Sequence, residues 1–295
     1  MTDVPEPANV LIAGCGYLGR RAARRWCDSG TTVFAITRTR TRAEELTVDG
    51  ILPLVGDLAA GKLPELPEVD MVLWAVGFDR SAGGTREAVW INGLRHLLQR
   101  LPDSVRRFLY VSSTAVYGQS GGETVTEETR ADPLTEGGQC CLKAEQLVQE
   151  FSQLRTSPTT AVILRMAGIY GPDRLLRRMV EMKAGAPLPG QADSLLNLVH
   201  IDDAVTAIVA ASVADVPPRV MNIVSTGTLT RAEYYAELAR LAGTREPEFD
   251  VSAQTKMRGG NKRVASLVRS QLAAEFRFDD VRAGLRDAIA RTRLS

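Results

Sequence analysis

Three glycines near the start of the chain are spaced as in a loop that binds a nucleotide diphosphate. The segment AGCGYLG gives the pattern G-x-G-x-x-G. In such a loop the first glycine permits a tight turn, the second lets the backbone approach a pyrophosphate, and the third lets a helix pack on the preceding strand. The amino end of that helix attracts anions. We therefore predict a dinucleotide site at the loop residues Gly14, Cys15, Gly16, Tyr17, Leu18 and Gly19.

The residues about 20 positions beyond the glycines favour NADP over NAD. An NAD site needs an acid there to accept hydrogen bonds from the ribose 2′-hydroxyl. The segment AITRTRTR instead places Thr37 and Arg38 at this point. Arg40 and Arg42 follow, and the next acid, Glu44, falls inside the following helix. A guanidinium fork suits a 2′-phosphate, whereas the alternative is that these arginines form a solvated helix start.

Two further segments are predicted to contact the dinucleotide. Asp57, in VGDL after the third apolar run, is placed to meet the adenine. An ordinary turn aspartate that caps the next segment is an equally good explanation of this residue. We also assign Ala75 and Val76, which end the run VDMVLWAV, to the cofactor site.

A parallel sheet is needed to bring these residues together. Six apolar runs bounded by turn residues alternate with helix-period segments: ANVLIAG, TTVFAIT, ILPLV, VDMVLWAV, VRRFLYVSS and TTAVILRM. Strands that alternate with helices form a parallel sheet covered on both faces. The sequence therefore predicts an α/β Rossmann fold, a doubly wound parallel sheet with a smaller C-terminal substrate lobe.

The alternation loosens after the segment YGP, where proline and glycine separate short helices and brief strands. We predict an NAD(P)-binding Rossmann domain over residues 1–171. Residues 196–224 are expected to return to it, because RVMNIV has the character of a strand. The smaller substrate-side lobe then comprises 172–195 and 225–295.

Composition excludes several classes of function. Lys plus Arg total 36 against 35 for Asp plus Glu in 295 residues, a formal net charge of +1. No long-range field therefore favours nucleic acid or an anionic membrane. No run approaches the roughly 18 apolar residues that span a bilayer, and the start MTDVPEPANV lacks the pattern of a signal peptide. We expect a soluble, cytoplasmic protein.

The cysteines and histidines do not have the spacing of a disulfide framework or a metal site. Cys140 and Cys141 are adjacent, and His96 and His200 are the only histidines. A histidine-rich site is thereby excluded, and no zinc spacing is present. We expect no resident metal.

Five motifs together resemble the extended short-chain dehydrogenase/reductase superfamily and, within it, the NAD-dependent epimerase/dehydratase family. They are the glycine loop, GDL, YVSSTAVYG at 110–118, LRMAGIYGP at 164–172 and NLVHIDD at 197–203. The later NKRV and the short length are most similar to the small YeeZ-type branch. The resemblance implies oxidoreductase or epimerase-like chemistry with a nicotinamide cofactor, and a homodimer that pairs the helices at 85–100 and 139–154.

The resemblance also implies roles for residues that match the family's motifs. Ser113 corresponds to a catalytic serine or threonine that hydrogen-bonds a substrate oxygen as charge develops on it; a serine that satisfies backbone groups at a strand end is the alternative. Lys143 corresponds to a lysine that binds the nicotinamide ribose and lowers the pKa of a tyrosine four positions earlier. Arg165, Asn197 and His200 fall in segments that line the substrate side in the family.

The family tyrosine is replaced here by Gln139. The apolar spacing of QLVQEFSQL predicts a helix, so Gln139 and Lys143 share one face, one turn apart. A glutamine amide forms hydrogen bonds but does not exchange a proton at neutral pH. We interpret Lys143 as a cofactor anchor. Tyr117, Tyr170 and Cys140 are candidate substitute acids, although packed, buried positions are the simpler interpretation of Tyr117 and Cys140.

We predict an NADP(H)-dependent oxidoreductase that acts on a small polar molecule. Turnover without the tyrosine would need a substitute acid, a bound water, or a substrate such as an imine or conjugated alkene that requires little proton donation from the protein. Two alternatives stay open. One is a catalytically inactive NADP(H)-binding sensor or regulator, and the other is a non-redox isomerase or cyclase that inherited the fold.

Overall fold

A seven-stranded parallel sheet forms the centre of the molecule. The computed structural model describes residues 6–79, 81, 83–174, 182, 185, 187–252 and 261–292. The strands of the sheet are β1 (Asn9–Ala13), β2 (Thr32–Thr37), β3 (Leu52–Val55), β4 (Met71–Trp74), β5 (Arg107–Ser113), β6 (Thr160–Met166) and β7 (Val220–Ile223). Their order across the sheet is β7-β6-β5-β4-β1-β2-β3, and neighbouring strands are parallel throughout.

Helices connect the strands. The α-helices among the described residues are α1 (Tyr17–Asp28), α2 (Arg40–Val48), α3 (Gly93–Leu98), α4 (Glu136–Leu154), α5 (Ile201–Val213), α6 (Arg231–Ala242) and α7 (Val281–Arg291). A π-helix, Glu87–Asn92, runs directly into α3, and 3₁₀ turns occupy Thr114–Val116 and Arg269–Gln271. Four short strand pairs complete the structure: Thr124–Val125 with Arg263–Val264, Gly168–Tyr170 with Leu198–His200, Leu188–Pro189 with Phe249–Asp250, and Leu195–Leu196 with Leu229–Thr230.

Both faces of the sheet are covered, as the near-continuous apolar runs predict. Side chains alternate along β1, so Val10 and Ile12 belong to one buried cluster and Leu11 and Ala13 to another. The first cluster includes apolar residues of α1 and α5, and the second includes those of α3 and α4. The helices therefore divide between the two faces, which is the doubly wound arrangement that the sequence predicts.

The strand order reverses next to β1. Strands β1, β2 and β3 proceed to one edge, and the chain then returns to place β4 on the other side of β1. In open α/β sheets a crevice forms at such a switch point, beyond the carboxyl ends of the strands. The glycine loop follows β1 and is therefore located at this crevice.

A third buried cluster lies outside the sheet, where α6 and α7 pack with Tyr170 and Leu188. Helix α6 begins with a capping box between Thr230 and Glu233. Strand β7, from the RVMNIV segment, pairs with β6 in the main sheet. The domain boundaries stay a prediction. Most of the segment DRLLRRMVEMK, residues 173–183, lies outside the described residues.

Within the described part of the chain, no helix has both the length and the apolar character required to cross a membrane. Cytoplasmic localisation and the predicted homodimer stay predictions.

Candidate dinucleotide and catalytic site

The glycine loop turns sharply between β1 and α1. Gly14 has a φ of 93°, and a Cβ on it would lie 2.5 Å from the backbone of Ala75. A Cβ on Gly19 would clash with the carbonyl oxygen of Gly14. No atom lies within 4 Å of the position that a Cβ on Gly16 would take. The loop is therefore tight on its protein side and open at Gly16, where a diphosphate needs close access to the backbone.

The amino end of α1 is free of competing protein anions. Gly16 occupies the N-cap position, no side chain caps the helix, and its first turn contains no acidic residue. The first amides of a helix lack partners within the helix, and together with the helix dipole they attract an anion. The loop therefore offers a diphosphate the backbone donors that the sequence pattern predicts.

A cavity of about 620 Å³ occupies the crevice, a size typical of small-molecule and cofactor sites. It brings together most of the predicted cofactor residues: Gly14, Cys15, Gly16, Tyr17, Leu18, Thr37, Arg38, Asp57, Ala75 and Val76. Gly19 is not among the cavity walls, because it faces the inner side of the turn. A dinucleotide thus fits the residues that surround this cavity.

The predicted arginines after β2 separate into three environments. Arg38 is exposed and lines the cavity. Arg42 turns back to the glycine loop, where Nη2 donates to the carbonyl oxygen of Cys15 at 2.9 Å, and Nη1 forms an ion pair with Glu45. Arg40 is exposed at the start of α2 and is not among the cavity walls. Of these three arginines, Arg38 is the one that lines the cavity.

Asp57 caps a turn and also lines the cavity, and its contact with an adenine stays a prediction. Its Oδ1 accepts a 3.1 Å hydrogen bond from the amide of Ala60, which caps a turn. Its backbone pairs with that of Lys62. The residue also lines the cavity, so the capping bond fixes a carboxylate at the cavity wall.

Several cavity residues were not anticipated from the sequence. Gly83, Gly84 and Ala88 come from the loop and π-helix after β4, whereas Ile169 and Arg174 come from the segment after β6. The adjacent glycines could have indicated a turn near a ligand. A π-helix has no simple sequence pattern, and it occurs often at functional sites. Arg174 belongs to the segment DRLLRRMVEMK, whose spacing favours an amphipathic helix with a solvated basic face over a contact with a phosphate or carboxylate.

Ser113 ends β5 on the side of the sheet that faces the cavity. Val111, two residues earlier, is a cavity wall residue, and side chains two apart on a strand point the same way. The Oγ of Ser113 accepts a 3.1 Å hydrogen bond from the amide of Ala115. Its hydroxyl proton can therefore be donated to a substrate oxygen.

The start of α4 packs directly on the loop that follows Ser113. Thr135 caps the helix by accepting from the amide of Gly138, and a Cβ on Gly138 would clash with the carbonyl oxygen of Ala115. Gln139 and Lys143 follow, both exposed and one turn apart. Neither they nor Ser113 lie among the walls of the cavity itself. This packing fixes the start of α4 against the turn that follows β5.

The sequence matches a known protein family. A sequence model of the NAD dependent epimerase/dehydratase family matches residues 10–224, which contain the glycine loop, Ser113 and Lys143. The chain belongs to this family. Family membership confirms the predicted relationship and supports an oxidoreductase-like role with a nicotinamide dinucleotide cofactor.

Relatives of the epimerase/dehydratase family cover almost the whole chain. Protein YeeZ from Escherichia coli K12 is 29% identical over 280 residues, 92% of this chain and 96% of YeeZ. A functionally unknown conserved protein from Silicibacter pomeroyi has a TM-score of 0.77 at 25% identity, with 97% and 99% of the two chains covered. A dTDP-glucose 4,6-dehydratase from Bacillus anthracis, solved with NAD, has a TM-score of 0.77 at 16% identity over 96% of both chains. The last likeness concerns the fold alone.

Tyr117 and Arg165 form part of a buried hydrogen-bond network. Tyr117 is 1% exposed, donates to Oδ1 of Asn222 at 2.9 Å and accepts from Nη1 of Arg165 at 2.9 Å. Arg165 binds the buried Glu145 through hydrogen bonds of 3.0 and 2.7 Å. Burial raises the pKa of Tyr117. The polar groups of both side chains are therefore hydrogen-bonded within the core, and a role of Tyr117 as proton donor or of Arg165 in substrate binding stays a prediction.

Asn197 and His200 are also structural. Nδ2 of Asn197 donates to the carbonyl oxygen of Lys262 at 2.8 Å, and its Oδ1 accepts from the amide of Val264 at 2.7 Å. His200 is fully buried, and its Nδ1 accepts from the amide of Asp202 to cap α5. These hydrogen bonds connect backbone segments, and the predicted substrate contacts of the two residues stay predictions.

The remaining candidate acids are buried. The hydroxyl of Tyr170 donates to the carbonyl oxygen of Val281 at 3.4 Å in the outer cluster, and burial raises its pKa. Burial also raises the pKa of Cys140, although its position near a helix start would favour the thiolate. Neither side chain is placed to give a proton to a substrate in the cavity.

Proposed function

We propose that this family member is an NADP(H)-dependent oxidoreductase that acts on a small polar molecule. The observation that carries the choice of dinucleotide is Arg38, an exposed guanidinium at the cavity wall immediately after β2. Among the described cavity residues, the carboxylates are Asp57 and Asp79, which follow β3 and β4. A fork of donors at the ribose favours a 2′-phosphate over a 2′-hydroxyl.

The glycine loop, Lys143 and Ser113 have distinct roles in this proposal. The open backbone at Gly16 and the first amides of α1 bind the diphosphate. The ammonium of Lys143 offers three donors to the hydroxyls of the nicotinamide ribose. Ser113 donates its hydroxyl proton to the substrate oxygen that gains charge. The dinucleotide, when bound, supplies the hydride.

Proton supply limits the substrates that fit this site. Tyr117, Tyr170 and Cys140 are buried with raised pKa values, so they do not replace the missing phenol. Gln139 can orient a substrate or a water through its amide, but it does not release a proton at neutral pH. Substrates such as imines or conjugated alkenes, which need little proton donation from the protein, therefore fit better than simple ketones.

Calorimetric titration with NADPH and NADH tests the cofactor. The wild type should bind NADPH more tightly, and Arg38→Ala should lower NADPH affinity about tenfold to a hundredfold while leaving NADH affinity unchanged, because a charge-assisted contact is lost. Arg40→Ala is the matched control, since Arg40 is exposed nearby but does not line the cavity. Tighter binding of NADH, or an Arg38→Ala variant that binds NADPH like the wild type, would refute the assignment.

Turnover is tested with a panel of ketones, imines and conjugated alkenes, by following consumption of NADPH. We expect turnover of an imine or alkene, with Ser113→Ala slower by about 10². Gln139→Tyr should add activity towards ketones, because it restores a phenol one turn before Lys143. Tight NADPH binding without turnover of any class would contradict an oxidoreductase.

A catalytically inactive NADP(H)-responsive regulator is the second candidate. The observation that favours it is the burial of all three alternative acids. Such a protein should bind a protein partner with affinities that differ between NADP⁺ and NADPH, and Gln139→Tyr should leave that difference intact. Equal partner affinity in both redox states would remove the basis for this function.

A further inference from the structure

The chain segment that leaves the sheet after β6 carries an arginine into the cavity. Arg174 is exposed and is one of the cavity walls. Its Nη1 donates to the carbonyl oxygen of Ile169 at 3.3 Å, and its guanidinium carbon lies 4.8 Å from the centre of the Tyr17 ring. Over the described residues, no carboxylate forms an ion pair with this guanidinium. Its charge therefore faces the cavity without an anionic protein partner in that part of the chain.

Tyr17 holds this segment against the start of α1. Its hydroxyl donates to the carbonyl oxygen of Pro172 at 2.8 Å. A Cβ on Gly171 would lie 2.8 Å from the same hydroxyl, so the segment passes the glycine loop in direct contact. The ring of Tyr17 then supports the guanidinium of Arg174 by a cation–π contact. Arg174 is thus fixed next to the loop whose backbone faces the cavity.

The arginines of the neighbourhood differ in what they are free to bind. Arg20, one turn into α1, is neutralised by an ion pair with Asp49. Within the described residues, Arg38 and Arg174 are the arginines among the cavity walls. Arg38 follows β2 at the ribose end, whereas Arg174 contacts Tyr17 in the glycine loop. The two guanidinium groups are therefore suited to two different phosphates of one dinucleotide.

We propose that Arg174 binds the diphosphate of the dinucleotide together with the amides of the glycine loop. The inference rests on the proposed dinucleotide binding and adds a second protein segment to the same site. A diphosphate carries two negative charges, and a helix amino end supplies about half of one positive charge. A guanidinium supplies a full charge and two parallel donors that match phosphate oxygens. The dinucleotide is therefore held jointly by α1 and by the segment that leads away from the sheet.

Arg174→Gln and Arg21→Gln form a matched pair of variants. Arg21 also stacks on Tyr17, at 4.0 Å, and donates to its carbonyl oxygen, but it is not a cavity wall residue. Affinities for NADPH, NADH, ADP and adenosine 2′-phosphate are measured by calorimetry, with displacement titrations for the weak ligands. Thermal unfolding of each variant establishes that it is folded.

Arg174→Gln should lower the affinities for NADPH, NADH and ADP by a similar factor, about tenfold to a hundredfold. The affinity for adenosine 2′-phosphate should stay unchanged. Arg174→Lys should recover part of the loss, because it restores the charge without the fork. Arg21→Gln should bind all four ligands like the wild type. Wild-type affinity for ADP and NADPH in Arg174→Gln, or an equal loss in Arg21→Gln, overturns the inference. A wild type that binds none of the four ligands instead overturns the proposed function.

Discussion

The glycine loop and the buried network around Arg165 differ in whether their polar groups have partners within the protein. In the network, Tyr117 joins Asn222 to Arg165, Arg165 binds Glu145, and all four side chains are buried. In the loop, the backbone at Gly16 faces open space, and no side chain caps the helix that follows. Groups whose partners are within the protein stabilise the fold, whereas groups whose partners are missing indicate where a ligand binds.

The contrast shows what the motifs alone do not reveal. Tyr117 is a candidate substitute acid and Arg165 falls in a segment that lines the substrate side in the family, but partners from β7 and α4 bind both side chains in the core. The glycine loop needs no such partner, because its chemistry resides in the backbone. Predictions from backbone geometry are therefore safer than predictions from the identity of a long polar side chain.

Breaking the buried network should produce the largest effect. Arg165→Met leaves the Glu145 carboxylate buried without its counter-ion, so the free energy of unfolding should fall by about 3–5 kcal/mol. Urea denaturation followed by circular dichroism measures the change. The double variant Glu145→Gln with Arg165→Met should recover part of it. Wild-type stability together with lost substrate binding in Arg165→Met would instead place this arginine in the active site.

Paired glycine substitutions compare the two sides of the loop. Gly14→Ala puts a Cβ against the backbone of Ala75 at a left-handed φ and should lower unfolding free energy by about 2–3 kcal/mol. Gly16→Ala meets no protein atom, so its stability should change by less than about 0.5 kcal/mol while NADPH affinity falls. Equal stability loss in both variants, measured by urea denaturation, would mean that Gly16 does not face open space.

The pH dependence of stability tests whether Lys262, which contacts Tyr117 of the network, is a buried charge. Its Nζ donates to the carbonyl oxygen of Tyr117 at 2.6 Å, and burial lowers its pKa to about 8. An unfolded lysine titrates near 10.4, so between these values the unfolded state binds more protons and the free energy of unfolding rises with pH, by about 2–3 kcal/mol.

The check is urea denaturation of the wild type and Lys262→Met from pH 7 to 10. The variant should lack this rise. A slope that is the same in both proteins would show that another group titrates in this range.

The smallest expected effect concerns Lys143 on the exposed face of α4. Lys143→Met should lower NADPH affinity about tenfold, roughly 1.4 kcal/mol, because donors to the ribose are lost. Its stability should stay within about 0.5 kcal/mol of the wild type, as expected at an exposed position. Gln153→Met, exposed near the other end of the same helix, is the control for calorimetry. Unchanged affinity in Lys143→Met would remove its role as a cofactor anchor.

The sheet and the glycine loop were predictable because their patterns are local. Apolar runs and turn residues specified β1 to β6, and G-x-G-x-x-G specified the first turn. The roles of Asn197 and His200 depended on contacts with Val264 and with the start of α5, which the sequence pattern does not reveal. The position of Arg174 depended on the contact between Tyr17 and Pro172, 155 residues apart in the chain.

The close packing of Gly138 on Ala115 makes this protein a natural reference for a single-residue experiment. The start of α4 packs on the turn after β5. A substitution at position 139 should therefore change the chemical group at that position without moving the helix backbone. Under the proposed function, comparing glutamine, phenylalanine and tyrosine at this one position would therefore measure how much rate a phenol contributes when the rest of the protein is unchanged.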